Sequence, residues 1–94
     1  MSELAVPTVQ TDNNKARVTE WRFAPGATTG YHKHEHDYVI VPIITGTLAL
    51  TGPDGEEILA ELTAGVSYFR EAGVEHDVRN ANDHEFSFVE VEFK

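Results

Sequence analysis

The chain has 94 residues, no cysteine and a formal net charge of −9, because seven Lys and Arg stand against sixteen Asp and Glu. This length predicts one domain with a modest core, and the lack of cysteine excludes disulfides, thiolate metal sites and a cysteine nucleophile. So acidic a surface repels phosphate and anionic lipid, and no segment has the pattern of a leader or a membrane helix. We therefore expect no nucleic-acid or membrane partner and a cytoplasmic location.

Turn signals divide the chain into short segments rich in Val, Ile, Phe, Tyr and Thr. These segments predict strands at about 16–23, 30–34, 38–44, 47–51, 57–62, 66–70, 76–80 and 85–93. Helical periodicity is not sustained anywhere, so an all-β fold with little or no helix is expected, as a small antiparallel sandwich or barrel. Gly52-Pro53-Asp54-Gly55 predicts a hairpin, because Pro53 presets the turn and Gly55 can adopt a positive φ.

Two of the predicted strands are apolar on both faces. In segment 38–44 the alternating Val39, Val41 and Ile43 share one face, and the other face is also apolar. Segment 85–93 changes its apolar phase between Phe88 and Val89. One face can line a barrel, but the other then needs a cover. We expect a homodimer in which a barrel of residues 16–94 carries an N-terminal arm, residues 1–15, at the interface; partial cover by segment 4–9 is the alternative.

Three histidines have the spacing of a metal site. His32 and His34 stand two apart on a predicted strand, so their imidazoles share one face. His76 follows a turn and begins a later strand. If the barrel brings these strands together, three neutral nitrogens converge and leave coordination positions open. His36 and His84 lack this spacing and are interpreted as structural or solvated residues.

The spacing of glycines and histidines resembles the two motifs of the cupin superfamily, whose fold is a β-barrel of jelly-roll type. The residues that match the first motif are Gly26, His32, His34 and Gly46. The residues that match the second motif are Gly65, Gly73, His76 and Asn80. The resemblance spans about residues 16–93 and is closest to small stand-alone cupins, some of them linked to the catabolism of β-alanine or related small acids. It implies a cupin barrel for residues 16–94.

The chain departs from the cupin pattern at the motif glutamate. Tyr38 or Val39 stands at that position, depending on the length of the gap. The family's fourth ligand is therefore missing, or is replaced by His36, Asp37 or Tyr38. In the second motif Glu71 stands where the family has proline, which alters a turn.

His32, His34 and His76 are thus predicted to ligate one divalent transition metal: Fe, Ni, Mn, Co or Zn. An ion without a carboxylate ligand keeps its double charge and prefers an anionic partner. We expect the protein to act on a small organic anion by oxygenase, isomerase or lyase chemistry, with a dioxygenase favoured. The alternative is a module that binds or sequesters a small ligand without turnover, because no general base is evident near the site.

Tyr38 and Arg70 are the candidate catalytic residues. The phenol of Tyr38 can fill the barrel mouth, donate a hydrogen bond to a substrate or ligate the ion, in that order of expectation. Arg70 can clamp a carboxylate through its planar guanidinium if its strand directs it inward, and so can Arg22. Strand parity alone does not decide which of them points into the barrel.

Overall fold

The computed structural model describes residues 3–94 and contains nine strands and no helix within that range. The strands are β1 (Val6–Asp12), β2 (Ala16–Phe23), β3 (His32–Lys33), β4 (Asp37–Pro42), β5 (Gly46–Thr51), β6 (Glu57–Leu62), β7 (Tyr68–Arg70), β8 (Glu75–Asn80) and β9 (Phe86–Phe93). Each predicted strand overlaps one of β2 to β9, and β1 lies in segment 1–15, for which we expected an N-terminal arm or strand. Nowhere between residues 3 and 94 is there a helix that could cross a membrane.

The strands form two sheets that face each other. One has the order β1-β2-β9-β4-β7 and the other the order β3-β8-β5-β6. Neighbouring strands run antiparallel, and the chain passes repeatedly from one sheet to the other between β2 and β9. This arrangement is a jelly roll, so the expected all-β antiparallel barrel is confirmed.

The predicted hairpin joins β5 to β6. Thr51 pairs with Glu57 at the end of the ladder, and Gly55 has a φ of +80°. The Gly55 N–H donates to the Gly52 carbonyl at 3.0 Å, which closes the turn. Glycine is required here because this conformation is costly for other residues.

Aromatic side chains close one end of the barrel. The rings of Phe23 and Phe88 lie 5.5 Å apart, and Phe86 packs edge-on against Phe23 at 6.4 Å. Phe23 and Phe86 are fully buried. The amide Nδ2 of Asn80 lies beside this cluster and donates to three backbone carbonyls, so the second-motif asparagine acts as a structural hydrogen-bonding group. With this end filled, the open space of the barrel lies at the opposite end.

The outer face of the five-stranded sheet carries an apolar row that crosses four strands. We call it the outer row; in order of pairing its members are Val18, Val91, Val39 and Phe69. Phe69 is 51% exposed. β1 extends the edge of this sheet, with every residue exposed, and does not fold across the row. The outer row is therefore open to solvent in a single chain.

Candidate metal centre

The fold brings the three predicted histidines together. His32 on β3 pairs directly with His76 on β8. His34 lies just beyond β3, where its N–H donates to the Val74 carbonyl and its carbonyl accepts from the Gly73 N–H, both at 2.8 Å. The Nε2 atoms of His32 and His34 are 3.1 Å apart, and so are those of His34 and His76. One ligand atom from each of the three residues lies within 4.8 Å of the other two.

This geometry fits a transition-metal ion. Two imidazole nitrogens bound to one ion at 2.0–2.1 Å, at angles between octahedral and tetrahedral, lie about 3.0–3.4 Å apart. The observed separations of 3.1 Å fall in that range. In each of these two pairs, nitrogen lone pairs that face each other at 3.1 Å repel unless a proton or a cation stands between them. An ion bound by all three nitrogens removes this repulsion, so the donor set fits a divalent metal.

Hydrogen bonds and stacking fix the rings with Nε2 turned toward the centre. Nδ1 of His32 lies 2.8 Å from the Gly30 carbonyl, so this nitrogen carries the proton and Nε2 is free to ligate. The ring of His34 stacks on Tyr38, with centroids 3.9 Å apart and planes 16° apart. Nδ1 of His34 faces Oε2 of Glu90 at 3.6 Å. These neighbours form the outer support that metal-bound histidines require.

The histidines are set up as neutral ligands. Burial, and to a smaller extent the nearby His32, lowers the pKa of His34 to about 4. Burial likewise lowers the pKa of His76 to about 4, with His32, His34 and Arg70 acting in the same sense. Both rings are therefore unprotonated at neutral pH, which is the form that binds metal.

The three histidines line a cavity of about 310 Å³ at the open end of the barrel. This volume is at the lower end of the range for small-molecule sites. Its apolar wall includes Trp21, Tyr68 and Phe88. Its polar wall includes Glu90 and Glu92, which point inward from β9. The cavity therefore combines a three-histidine cluster, aromatic surface and carboxylates.

Glu90 is a site residue that the sequence reasoning missed. It is only 7% exposed, and burial together with the neighbouring Glu92 raises its pKa to about 7. Trp21 Nε1 donates to Oε1 of Glu90 at 3.4 Å. The available signal was the change of apolar phase after Phe88: from that point the inward positions of β9 are glutamates and the outward ones are valines.

Arg17, and not Arg22, is the β2 arginine that faces the cavity. Its Nε and one terminal nitrogen donate to the two carboxylate oxygens of Glu92 at 3.0 and 3.2 Å. Arg22 is exposed and pairs with Glu20 and Glu85. The guanidinium inside the cavity is thus already neutralised by a bidentate ion pair, and Arg22 is not brought to the histidines.

The other candidates lie near the centre in different ways. Tyr38 lines the cavity, and burial raises the pKa of its phenol to about 12. Arg70 pairs with Tyr38 across β4 and β7, is exposed, and stacks over Tyr68 at 4.6 Å. It borders a second cavity of about 470 Å³, which also touches His76. Arg70 therefore approaches the histidine cluster from the second cavity, on the side of His76.

His36 and Asp37, two of the three candidates to replace the missing motif glutamate, do not join the histidine cluster. His36 lines the cavity mouth but does not join the cluster of ligand atoms. Asp37 turns to the β7–β8 turn, where Oδ1 accepts from the Ala72 N–H at 2.8 Å. Among residues 3–94, the metal-ligand group in this cavity consists of the three histidines. The carboxylate nearest to these histidines is that of Glu90, which faces Nδ1 of His34, the ring nitrogen that points away from the centre.

The sequence and the fold both match known cupins. The family described as "Cupin domain" matches residues 19–92. Beta-alanine degradation protein BauB of Pseudomonas aeruginosa is 62% identical over 90 residues, which are 96% of this chain and 94% of that protein. A crystal structure of a cupin domain from Bordetella pertussis has a TM-score of 0.96 and 54% identity, covering 100% of this chain and 97% of that one.

A more distant relative has a name that describes binding. The Oxalate-binding protein of Thermotoga maritima is 29% identical over 80 residues, which are 84% of this chain and 64% of that protein. The family match over most of the chain and the extensive identity with BauB agree with the jelly roll and with the two histidine motifs. The chain belongs to the cupin superfamily.

Proposed function

We propose that the protein binds one divalent transition metal through His32, His34 and His76 and acts on a small organic carboxylate. The observation that carries this proposal is the convergence of three imidazole nitrogens in a cavity of about 310 Å³. When bound, the ion supplies a Lewis acid for a substrate oxygen and, if it is Fe(II), a site for dioxygen. The name of the BauB relative supports a substrate of the size of β-alanine or of a carboxylate derived from it.

The residues around the ligands have defined tasks in this proposal. Tyr38 keeps its phenolic proton at neutral pH, so it can donate a hydrogen bond to a substrate oxygen. Glu90 holds the outer nitrogen of His34 and is the buried carboxylate nearest to the ligands. Because its pKa is raised to about 7, it can exchange a proton with a bound molecule near neutral pH. Glu90 thus provides the acid or base that the sequence did not reveal.

A second candidate is a binding module without turnover. It is supported by the name of the Oxalate-binding protein, since a metal with open positions can retain a carboxylate without transforming it. Both functions require the same three histidines. They differ in whether a carboxylate is converted to a product.

The first test is metal analysis of protein purified without a histidine tag. We expect about one equivalent of metal after reconstitution, and less than about one-tenth in His34→Ala. His84→Ala is the matched control, because the His84 imidazole contacts the Glu85 carbonyl and lies outside the cluster. Reconstituted protein that holds no metal would contradict both functions.

The second test separates enzyme from binder. Metal-loaded protein is incubated with β-alanine and related C3 carboxylates under oxygen and under nitrogen, while products are followed by NMR and oxygen by electrode. Product that requires the metal supports an enzyme, and oxygen consumption in proportion to product identifies an oxygenase. Saturable binding with no product for any of these compounds would favour the binding module.

A further inference from the structure

The cavity presents two chemically different walls. The four-stranded sheet and its β3 edge carry the histidines, where a metal can take a carboxylate. The five-stranded sheet carries Trp21 on β2 and Glu90 on β9. A ligand between the sheets therefore meets a metal at one end, and an aromatic ring with a buried carboxylate at the other.

Among residues 3–94, no lysine or arginine forms an ion pair with Glu90. The guanidinium of Arg17 is engaged by Glu92 through two hydrogen bonds. The groups next to Glu90 are the Trp21 indole and Nδ1 of His34, and neither belongs to a lysine or an arginine. Within residues 3–94 no group donates a hydrogen bond to Oε2 of Glu90 at 3.5 Å or less, although the side chain is about nine-tenths buried. A buried carboxylate with a free oxygen is a site that a cation would complete.

Trp21 favours the same kind of ligand. Aromatic faces attract cations through the ring quadrupole, and tryptophan does so most strongly. Trp21 lines the cavity and is joined to Glu90 by the hydrogen bond from Nε1. An ammonium group held by Glu90 would gain a cation–π interaction as well if it lay over the face of this indole.

We propose that the carboxylate ligand of this site carries an ammonium group, and that Glu90 and Trp21 bind it. The inference rests on the proposed function, because it requires the metal to hold the carboxylate. It assigns the ligand to the small amino carboxylates, not to simple carboxylates or dicarboxylates. The site then balances the ligand's charges at both ends.

The geometry also specifies the spacer between the two charges. Oε2 of Glu90 faces Nδ1 of His34, whereas the cluster is formed by Nε2 of the same ring. One imidazole ring therefore separates the ammonium position from the metal position. In an α-amino acid the two groups are close enough to chelate one metal ion together, whereas a β- or γ-amino acid can extend from the metal to Glu90. The structure favours the longer spacer.

The test is calorimetric titration of the metal-loaded protein with β-alanine, propionate and glycine. Propionate keeps the carboxylate and the carbon chain of β-alanine and lacks only the ammonium group. In the wild type we expect β-alanine to bind at least roughly tenfold more tightly than propionate and than glycine. If β-alanine binds no more tightly than propionate, the inference is overturned without any variant. The proposed function would still stand in that case. If none of the three compounds binds, the proposed function itself fails for this ligand class.

Variants of single residues test which side chains distinguish β-alanine from propionate. Glu90→Gln keeps the size of the side chain and removes its charge, so the ratio between β-alanine and propionate should fall to within about threefold. Glu35→Gln makes the same charge change at an exposed residue of the cavity mouth, and the ratio should persist. Equal weakening of both ligands by Glu90→Gln would mean that Glu90 acts only through His34. Loss of the ratio in Trp21→Leu, measured at full metal content, supports the inference independently, and an unchanged ratio there removes Trp21 from it.

Discussion

Removal of the Glu90 carboxylate should make the metal-free protein more sensitive to acid. The pKa values of His34 and His76 are about 4 in the folded state and 6.5 without the fold. Between those values the unfolded chain binds protons that the folded chain does not, so these histidines make stability rise with pH. Glu90 acts in the opposite sense. Its pKa is about 7 when folded and 4.5 otherwise, so its contribution to stability is lost as the pH rises through that window.

The size of the effect follows from counting protons near the middle of the window. At about pH 5.5 the two histidines bind roughly two more protons in the unfolded state, and Glu90 binds roughly one more in the folded state. The wild type therefore gains about 1 kcal/mol of stability per pH unit from these groups. In Glu90→Gln the opposing proton is gone, so the gain is about 2 kcal/mol per pH unit.

The assay is urea unfolding of both proteins in the presence of a chelator, followed by Trp21 fluorescence at several pH values between about 5 and about 6.5. The other titrating groups are common to both chains, so the difference between the two slopes reports Glu90. Equal slopes, or a shallower slope in the variant, would refute the assignment of Glu90 as a buried, proton-binding group.

Three further predictions concern the stability of the barrel and the outer row. Asn80→Ala should lower the free energy of unfolding by about 2–4 kcal/mol in urea titrations, because three backbone carbonyls lose the donor that this buried side chain provides; a loss below about 1 kcal/mol would contradict this. Gly46→Ala should cost about 1–3 kcal/mol in the same assay, since its Cβ would lie 2.8 Å from Asn82 Nδ2 and 2.9 Å from Phe86 Cδ1; wild-type stability would show that both side chains yield freely. If a second copy covers the outer row, Val39→Lys should convert a dimeric wild type into a monomer in analytical ultracentrifugation; a monomeric wild type at micromolar concentration would disprove the homodimer.

The strands and the histidine cluster could be predicted because their signals are local. Alternation with a period of two places His32 and His34 on one face whatever the rest of the fold does. The turn glycines fix the segments between them, and Gly55 adopts the positive φ expected in the β5–β6 hairpin. The cupin spacing then supplied the one long-range fact, that His76 faces the other two.

The inner wall could not be predicted with the same certainty. β9 is apolar on its inward face at Phe86 and Phe88 and on its outward face at Val89 and Val91, and alternation alone does not say which half faces the core. In the structure the phenylalanines fill the closed end, so Glu90 and Glu92 must point into the cavity. The strand that the sequence showed as irregularly apolar thus supplies the carboxylates of the cavity wall.

The bounds of β1 could not be predicted from the sequence, for a related reason. Every residue of β1 is exposed, so no burial pattern marks it, and Pro7 weakens its strand signal. The strand exists because it completes the edge of the five-stranded sheet by pairing with β2. Edge strands tolerate proline and polar residues, and sequence patterns detect them poorly.

The direct pairing of His32 with His76 would give a bound metal a topological role. An ion bound to both would close a loop that runs from position 32 to position 76 and contains β4 to β7. If the ion stayed on both histidines in the unfolded chain, this tether would raise the free energy of that chain by about 4 kcal/mol, by the relation used for disulfides. An ion that binds only the folded chain stabilises it by mass action. A protein without cysteine would then have a reversible cross-link between two distant parts of its chain. Its melting temperature would rise with the concentration of metal in its surroundings.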